Sequence, residues 1–243
     1  MPSVRPRTLL VPLLAAVMLA LPACGTSGSS ARPNEEATLL LDFTPGAVHT
    51  GIYLARSRGF DEAEGARLEI KPPSDSTDAV KLLSAGRVDF AILDLHDLAI
   101  AREKGADLVA VMPVVQQPLA SILAAPEIQR PRDLEGRRVG VTGLPSDVAV
   151  LRSIVEADGG DPDRVETTTI GFTAVPALLG GKVDAATAFW NVEGVALQRQ
   201  RPATRIFRLD AYGAPSYPEL VLCTTSTTLQ DRRSLVSAVV KAL

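Results

Sequence analysis

Leu82-Leu83-Ser84-Ala85-Gly86-Arg87-Val88-Asp89-Phe90-Ala91 and Leu178-Leu179-Gly180-Gly181-Lys182-Val183-Asp184-Ala185-Ala186 decide how this chain is read. With Ser84 skipped, the two stretches align without another gap. Each reads as a helix end, a glycine, a basic residue, and Val-Asp leading into an apolar strand. The glycine supplies the left-handed turn that stops a helix. The copies stand about 95 residues apart, too far for a stacked solenoid repeat. They fit two lobes built alike, with a cleft between them and ligands held outside the carboxyl ends of the strands. A glycine stop before a strand also recurs by chance in α/β chains.

Outward from these stretches, short apolar runs alternate with helical patterns from Ala37 onward. Strands are expected at 39–43, 68–71, 88–93, 108–115, 119–124, 138–141, 167–170, 183–189 and 220–225. Helices are expected at 48–58, 78–84, 94–103, 146–157, 173–179 and 193–199. That order predicts an α/β fold with largely parallel strands. Ser146 is placed to cap its helix, with Val148, Leu151 and Val155 spaced for one buried face. The Pro-containing, charged segment 126–136 marks a boundary. Lobe one is therefore expected over 38–124 and lobe two over 125–215, with 216–243 returning to lobe one. The last helix carries Leu235, Val239 and Leu243 at a four-residue step without a cap, so further C-terminal helices are expected beyond it.

The N-terminus begins with Arg5 and Arg7, followed by an apolar run over 9–21 broken by Pro12. A spanning helix needs about 20 apolar residues, which leaves a cleaved signal peptide (1–23) as the first reading and an uncleaved anchor as the other. Leu21-Pro22-Ala23-Cys24 resembles a bacterial lipobox, which implies cleavage before Cys24 and acylation of its thiol. Residues 24–37, rich in Gly, Ser, Pro, Asn and Glu, then form a flexible tether to the membrane. The chain of 243 residues has a formal charge of −3. Nothing in it offers the basic face that a nucleic-acid partner requires. It holds 2 cysteines. With Cys24 lipidated, Cys223 stands alone in the apolar run Leu220-Val221-Leu222-Cys223 and reads as a buried thiol.

The candidate site residues stand where strands empty into turns. Asp42, Phe43 and Thr44 follow the first strand, and His49 opens the next helix. Asp94 and Asp97 follow the third strand, and Phe189, Trp190, Asn191 and Glu193 follow the corresponding strand of lobe two. Each has a plainer reading. Asp42 serves as a turn cap, His49 as a polar residue packed at a helix start, Asp94 as a helix cap, Trp190 as core, and Glu193 as a carboxylate favoured by the helix dipole. The polarity is informative: Asp42, Asp94 and Glu193 are acceptors, and neither Lys nor Arg joins them. Sulfonate, nitrate or phosphate usually recruits Arg, although helix N-termini also serve. A flat ring bearing amino groups fits better, stacked on Trp190 and Phe189. A riboflavin-like ligand satisfies the same logic.

The stretch Leu41-Asp42-Phe43-Thr44-Pro45-Gly46-Ala47-Val48-His49-Thr50-Gly51-Ile52-Tyr53-Leu54-Ala55, running into Gly59-Phe60, resembles the opening motif of periplasmic binding proteins for the thiamine pyrimidine precursor. Phe189-Trp190-Asn191-Val192-Glu193-Gly194 is similar to that family's aromatic-x-x-Glu-Gly motif. The family groups with sulfonate- and nitrate-binding proteins and with eukaryotic pyrimidine-synthase enzymes. The resemblance covers 37–243. It implies a type II periplasmic-binding fold, with two α/β lobes, two crossing strands and a ligand cleft between the lobes. It also implies the substrate-binding component of an ABC importer, with a small-molecule ligand, a permease partner and no cofactor. Gly46 stands where the family usually has Asn, and Val192 where an aromatic often precedes the Glu.

An enzyme is the competing class. The synthase relatives need a cysteine-rich iron motif and their own histidine. Here the cysteines are far apart, and the histidines are His49 and His96. No Gly-x-Ser-x-Gly elbow, P-loop or Gly-x-Gly-x-x-Gly fingerprint is present. A sensory domain reporting to a membrane kinase is a third class. The expectation is a binding protein, not an enzyme, on the extracytoplasmic face of the membrane.

Overall fold

The computed structural model describes residues 34–243, so the expected signal peptide, Cys24 and most of the tether lie outside the described residues. The chain runs β1 (Glu35–Leu40), α1 (Thr50–Ser57), α2 (Phe60–Glu64), β2 (Ala66–Lys71), α3 (Asp78–Ser84), β3 (Phe90–Asp94), α4 (Leu95–Glu103) and β4 (Leu108–Val115). It continues through β5 (Ala120–Ala124), β6 (Arg138–Val141), α5 (Pro145–Ala157), β7 (Glu166–Thr169), α6 (Ala174–Leu179), β8 (Ala185–Phe189), α7 (Val195–Gln200) and β9 (Arg205–Arg208). It closes with β10 (Leu220–Thr225), α8 (Ser226–Asp231) and α9 (Arg233–Ala242). No helix among the described residues is long and apolar enough to cross a membrane.

Two five-stranded sheets form, ordered β2-β1-β3-β10-β4 and β7-β6-β8-β5-β9. They have the same plan. In each, three parallel strands are followed by one antiparallel strand borrowed from the far side of the chain: β10 runs against β3 and β4, and β5 against β8 and β9. This is the two-lobed α/β periplasmic-binding architecture.

The repeated motif performs the same task in both lobes. Gly86 and Gly181 take φ of 63° and 64°, where a side chain would strain the backbone. The next residue closes the turn in each case, Arg87 N–H to the Leu82 carbonyl and Lys182 N–H to the Ala177 carbonyl, both 2.9 Å. The aspartate that follows then clasps the neighbouring strand. Asp89 Oδ2 accepts from Thr38 N–H at 2.8 Å, and Asp184 Oδ2 from Arg138 N–H at 2.9 Å. Helices cover both faces of each sheet. Leu39, Phe90, Ile92 and Leu222 pack against α9 on one face of the first sheet, and Leu40, Leu83, Leu93 and Val221 lie on the other. In the second sheet Ile122, Val139 and Ile154 lie on one side, and Leu123, Leu178 and Ala186 on the other.

Several expectations need correction. β1 starts at Glu35, inside the expected tether and ahead of the expected 39–43, because 35–40 pair in register with 66–71. The apolar pattern missed the start because Glu35 is charged. Arg232 Nε meets its carboxylate at 2.6 Å, and a second Arg232 nitrogen donates to the Glu36 carbonyl at 3.0 Å. The lobe boundary at 124 is too late. β5 belongs to the second sheet, so the chain crosses at 116–119, and the prolines of 126–136 lie in a loop of lobe two. In α5 the buried face is Val150, Leu151, Ile154 and Val155, and Val148 is exposed. Ser146 lies inside that helix and does not cap it. Glu193 belongs to a π turn, Trp190–Gly194, ahead of α7. β9, with arginines at both ends, and the short α8 were not anticipated.

Candidate functional site

The carboxyl ends of β1, β3, β6 and β8 converge on a cavity of about 70 Å³. Asp42, Phe43, Asp94, Phe189 and Glu193 of the expected set line it. Ser121, Asp147, Phe172, Thr187 and Glu219, which the sequence did not single out, also line it, as does Ser146, read from the sequence only as a helix cap. Among the described residues, no Lys or Arg lines it.

Asp42 follows β1 and is held from behind. Its Oδ1 lies 2.9 Å from His49 Nε2, and His49 Nδ1 accepts from Gly46 N–H at 3.1 Å. A neutral imidazole that accepts at Nδ1 carries its proton at Nε2, so His49 donates to Asp42. The ring is fully buried. His49 is thus placed to orient Asp42, and does not line the cavity.

Asp94 ends β3, and its Oδ1 is buried without a hydrogen-bond partner. Burial, and then the neighbouring Asp97, Glu219, Asp42 and Asp147, push this carboxyl well above the usual range. Glu193 accepts from Phe189 N–H at 3.2 Å. Its pKa is raised, first by burial, with Asp42 adding to the rise. Desolvation therefore outweighs any favour from the following helix, which has only 6 residues.

Phe43 of lobe one and Phe172 of lobe two meet edge to face across the cleft, with centroids 4.3 Å apart at 68°. Two polar bridges join the lobes beside them. Ser76 Oγ donates to the Thr142 carbonyl at 2.9 Å. Asp97 accepts from Ser146, from N–H at 3.1 Å and from O–H at 2.8 Å. Within lobe two, Asp147 Oδ2 accepts from Thr142 Oγ1, Gly143 N–H and Leu144 N–H at 2.7–2.9 Å, and Oδ1 accepts from Thr187 Oγ1 at 2.8 Å. This single carboxylate makes the 142–144 loop rigid.

Trp190, expected as a stacking platform, is not among the residues that line the cavity. Its Nε1–H donates to the Pro118 carbonyl at 3.1 Å, its N–H to the Leu119 carbonyl at 3.1 Å, and the Arg208 guanidinium lies 4.2 Å from the ring centre. A half-buried indole N–H needs an acceptor, and the first crossing segment supplies one. Glu219, buried in the second crossing, accepts from Leu119 N–H, from Ala120 N–H at 2.8 Å and from Tyr217 O–H at 3.1 Å. Trp190 and Glu219 therefore hold the hinge. Thr44 is exposed, and Asn191 has a buried Oδ1 without a partner, but neither lines the cavity. The two departures from the resemblance face each other: a Cβ on Gly46 would lie 3.9 Å from Val192 Cγ1.

A family model described as NMT1/THI5 like matches residues 46–243. A formylaminopyrimidine-binding protein from Halalkalibacterium halodurans is 31% identical over 233 residues, covering 94% of this chain and 70% of that protein. A 4-amino-5-hydroxymethyl-2-methylpyrimidine phosphate synthase from Legionella pneumophila is 27% identical over 175 residues. It covers 71% of this chain, which spans 55% of the synthase. Among solved structures, the alkanesulfonate-binding protein SsuA from Xanthomonas axonopodis pv. citri, bound to MOPS, aligns with a TM-score of 0.68 at 16% identity. The alignment covers 87% of this chain and 73% of that one. At that identity the likeness is one of fold.

Proposed function

Because the chain belongs to the NMT1/THI5-like family, we propose that it is the substrate-binding component of an ABC importer and captures an aminopyrimidine precursor of the thiamine type in the cleft. One observation carries the reading. Asp94, whose buried Oδ1 has no hydrogen-bond partner among the described residues, borders a cavity lined by acids, phenylalanines and His96 and, among the described residues, by no Lys or Arg. An aminopyrimidine donates N–H groups and presents a flat apolar face. Asp42, Asp94 and Glu193 can accept from its edge, and Phe43, Phe172 and Phe189 can cover its faces, each aromatic contact contributing about 0.5–1.5 kcal/mol beyond burial. The relative named for formylaminopyrimidine binding supports the same ligand class.

Capture at the membrane completes the proposal. Cleavage before Cys24, a lipid anchor there and delivery to a permease follow from the lipobox-like Leu21-Pro22-Ala23-Cys24 and the tether behind it. The synthase relative favours an enzymatic second reading. Against it, both ring nitrogens of His49 are occupied and the ring is buried. It is therefore poorly placed to react with a bound substrate.

Calorimetry with 4-amino-5-hydroxymethyl-2-methylpyrimidine, its formylamino analogue, methanesulfonate and nitrate tests the proposal. A binding isotherm for at least one pyrimidine and none for the two anions is expected. Tight sulfonate binding with no pyrimidine signal would overturn the reading. Consumption of the pyrimidine or formation of a new product during the titration would favour the enzyme.

A further inference from the structure

The amino end of α5 opens on the cavity, and the hydrogen bonds of its first turn can be accounted for donor by donor. A helix amino end, with its free N–H groups and dipole, is a ready site for an anion. Here Pro145 has no N–H. Gly143 and Leu144 N–H donate to Asp147 Oδ2, at 2.8 and 2.9 Å. Asp147 N–H turns back to the Leu144 carbonyl at 3.2 Å. The remaining donors, Ser146 N–H and O–H, are both taken by Asp97, which reaches them from α4 in the other lobe. Asp97 is 4% exposed and Ser146 7%, so this pairing is shielded from water.

The geometry points to Asp97 as a specificity-determining residue: a carboxylate from lobe one fills the anion site at the amino end of α5 in lobe two, and so excludes sulfonates and other anionic ligands from the closed cleft. The chain carries its own anion where an anionic ligand would otherwise bind. An incoming sulfonate would have to displace Asp97, leave that carboxylate buried without its donors, and sit beside Asp147. An uncharged ring lying against Asp94 and the phenylalanines asks for none of this. The Asp97–Ser146 pair is also one of the contacts that join the lobes, beside Ser76–Thr142 and Phe43–Phe172. The inference deepens the aminopyrimidine reading by giving a physical reason for rejecting anions, and it rests on that reading only for the identity of the accepted ligand.

Methanesulfonate is the probe. Its affinity is measured by calorimetry for the wild type, Asp97→Asn and Asp97→Ala, each checked by circular dichroism and melting temperature. Asp97→Ala frees both Ser146 donors and removes the charge, and is expected to bind methanesulfonate at least tenfold more tightly than wild type. Asp97→Asn keeps an acceptor at Ser146 N–H without the charge and is expected to fall between them. A folded Asp97→Ala protein that binds methanesulfonate no better than wild type overturns the inference. If Asp97→Ala does not fold, the Asp97→Asn comparison decides, with equal affinity to wild type as the overturning result. The pyrimidine titration of the wild type is run alongside. Its failure would sink the proposed ligand while leaving the methanesulfonate comparison to judge Asp97, so the two failures are distinguishable.

Discussion

Truncating Glu219 to alanine is expected to loosen both interlobe crossings at once. The carboxylate is buried at 2% exposure in the second crossing and accepts from three donors, two of them main-chain N–H groups where the first crossing enters β5, Leu119 and Ala120. A buried donor left without a partner costs about 1–3 kcal/mol. Leu119 and Ala120 would bear that cost nearly in full, while half-buried Tyr217 would turn partly to water, so the total is about 3–6 kcal/mol. Against a typical stability of about 5–15 kcal/mol this is a large fraction. At about 2–4 °C per kcal/mol for a chain of this size, the melting temperature should fall by about 6–24 °C. Differential scanning calorimetry of wild type, Glu219→Ala and Glu219→Gln reads the effect, with the glutamine variant intermediate because one acceptor oxygen survives. A fall below about 2 °C for Glu219→Ala would refute the claim that this carboxylate holds the hinge.

Asp94→Asn tests the buried carboxyl. Its folded pKa is raised above the unfolded value, so between those two values the native state holds more protons than the unfolded chain. Wild-type stability is then fully present below the unfolded value and is lost as pH rises through the folded one. The variant should match wild type in melting temperature at acidic pH and exceed it increasingly towards neutral pH. A difference that does not change with pH would contradict the assignment. Cys223 is fully buried, and burial pushes its thiol up to about 12. In a Cys24→Ser protein it should therefore resist a thiol reagent at pH 8 until the chain unfolds, and labelling within minutes of the folded protein would show the packing to be wrong.

The sequence alone determined what depends on neighbours in the chain. Hydrophobic period and glycine stops are local, so the alternation of strands and helices was legible, as was the doubled Gly-basic-Val-Asp unit that builds each lobe. Strand ends are local too. Asp42, Phe43, Asp94, Phe189 and Glu193 could be placed at the cleft because each follows an apolar run at its carboxyl end. Phe172 offered a similar signal, an aromatic just past the strand expected at 167–170, and was not singled out although that strand forms as β7.

Only the tertiary structure decided the rest, because the partners come from distant parts of the chain. Asp97 meets Ser146 across 49 residues, and Glu219 reaches Ala120 across 99. No local pattern marks such pairs: a serine at a helix start reads as a cap, and a glutamate before a strand reads as surface. His49 and Trp190, both expected at the ligand, instead stand behind the cavity lining for the same reason. Once half-buried or buried, an imidazole or indole N–H must find an acceptor. Which acceptor is at hand, Asp42 for one and the Pro118 carbonyl for the other, is set by how the crossing segments and strand ends pack. β5 makes the same point: its apolar run was visible, but its sheet is set by its pairing with β8 and β9, more than 60 and 80 residues on, which no local pattern marks.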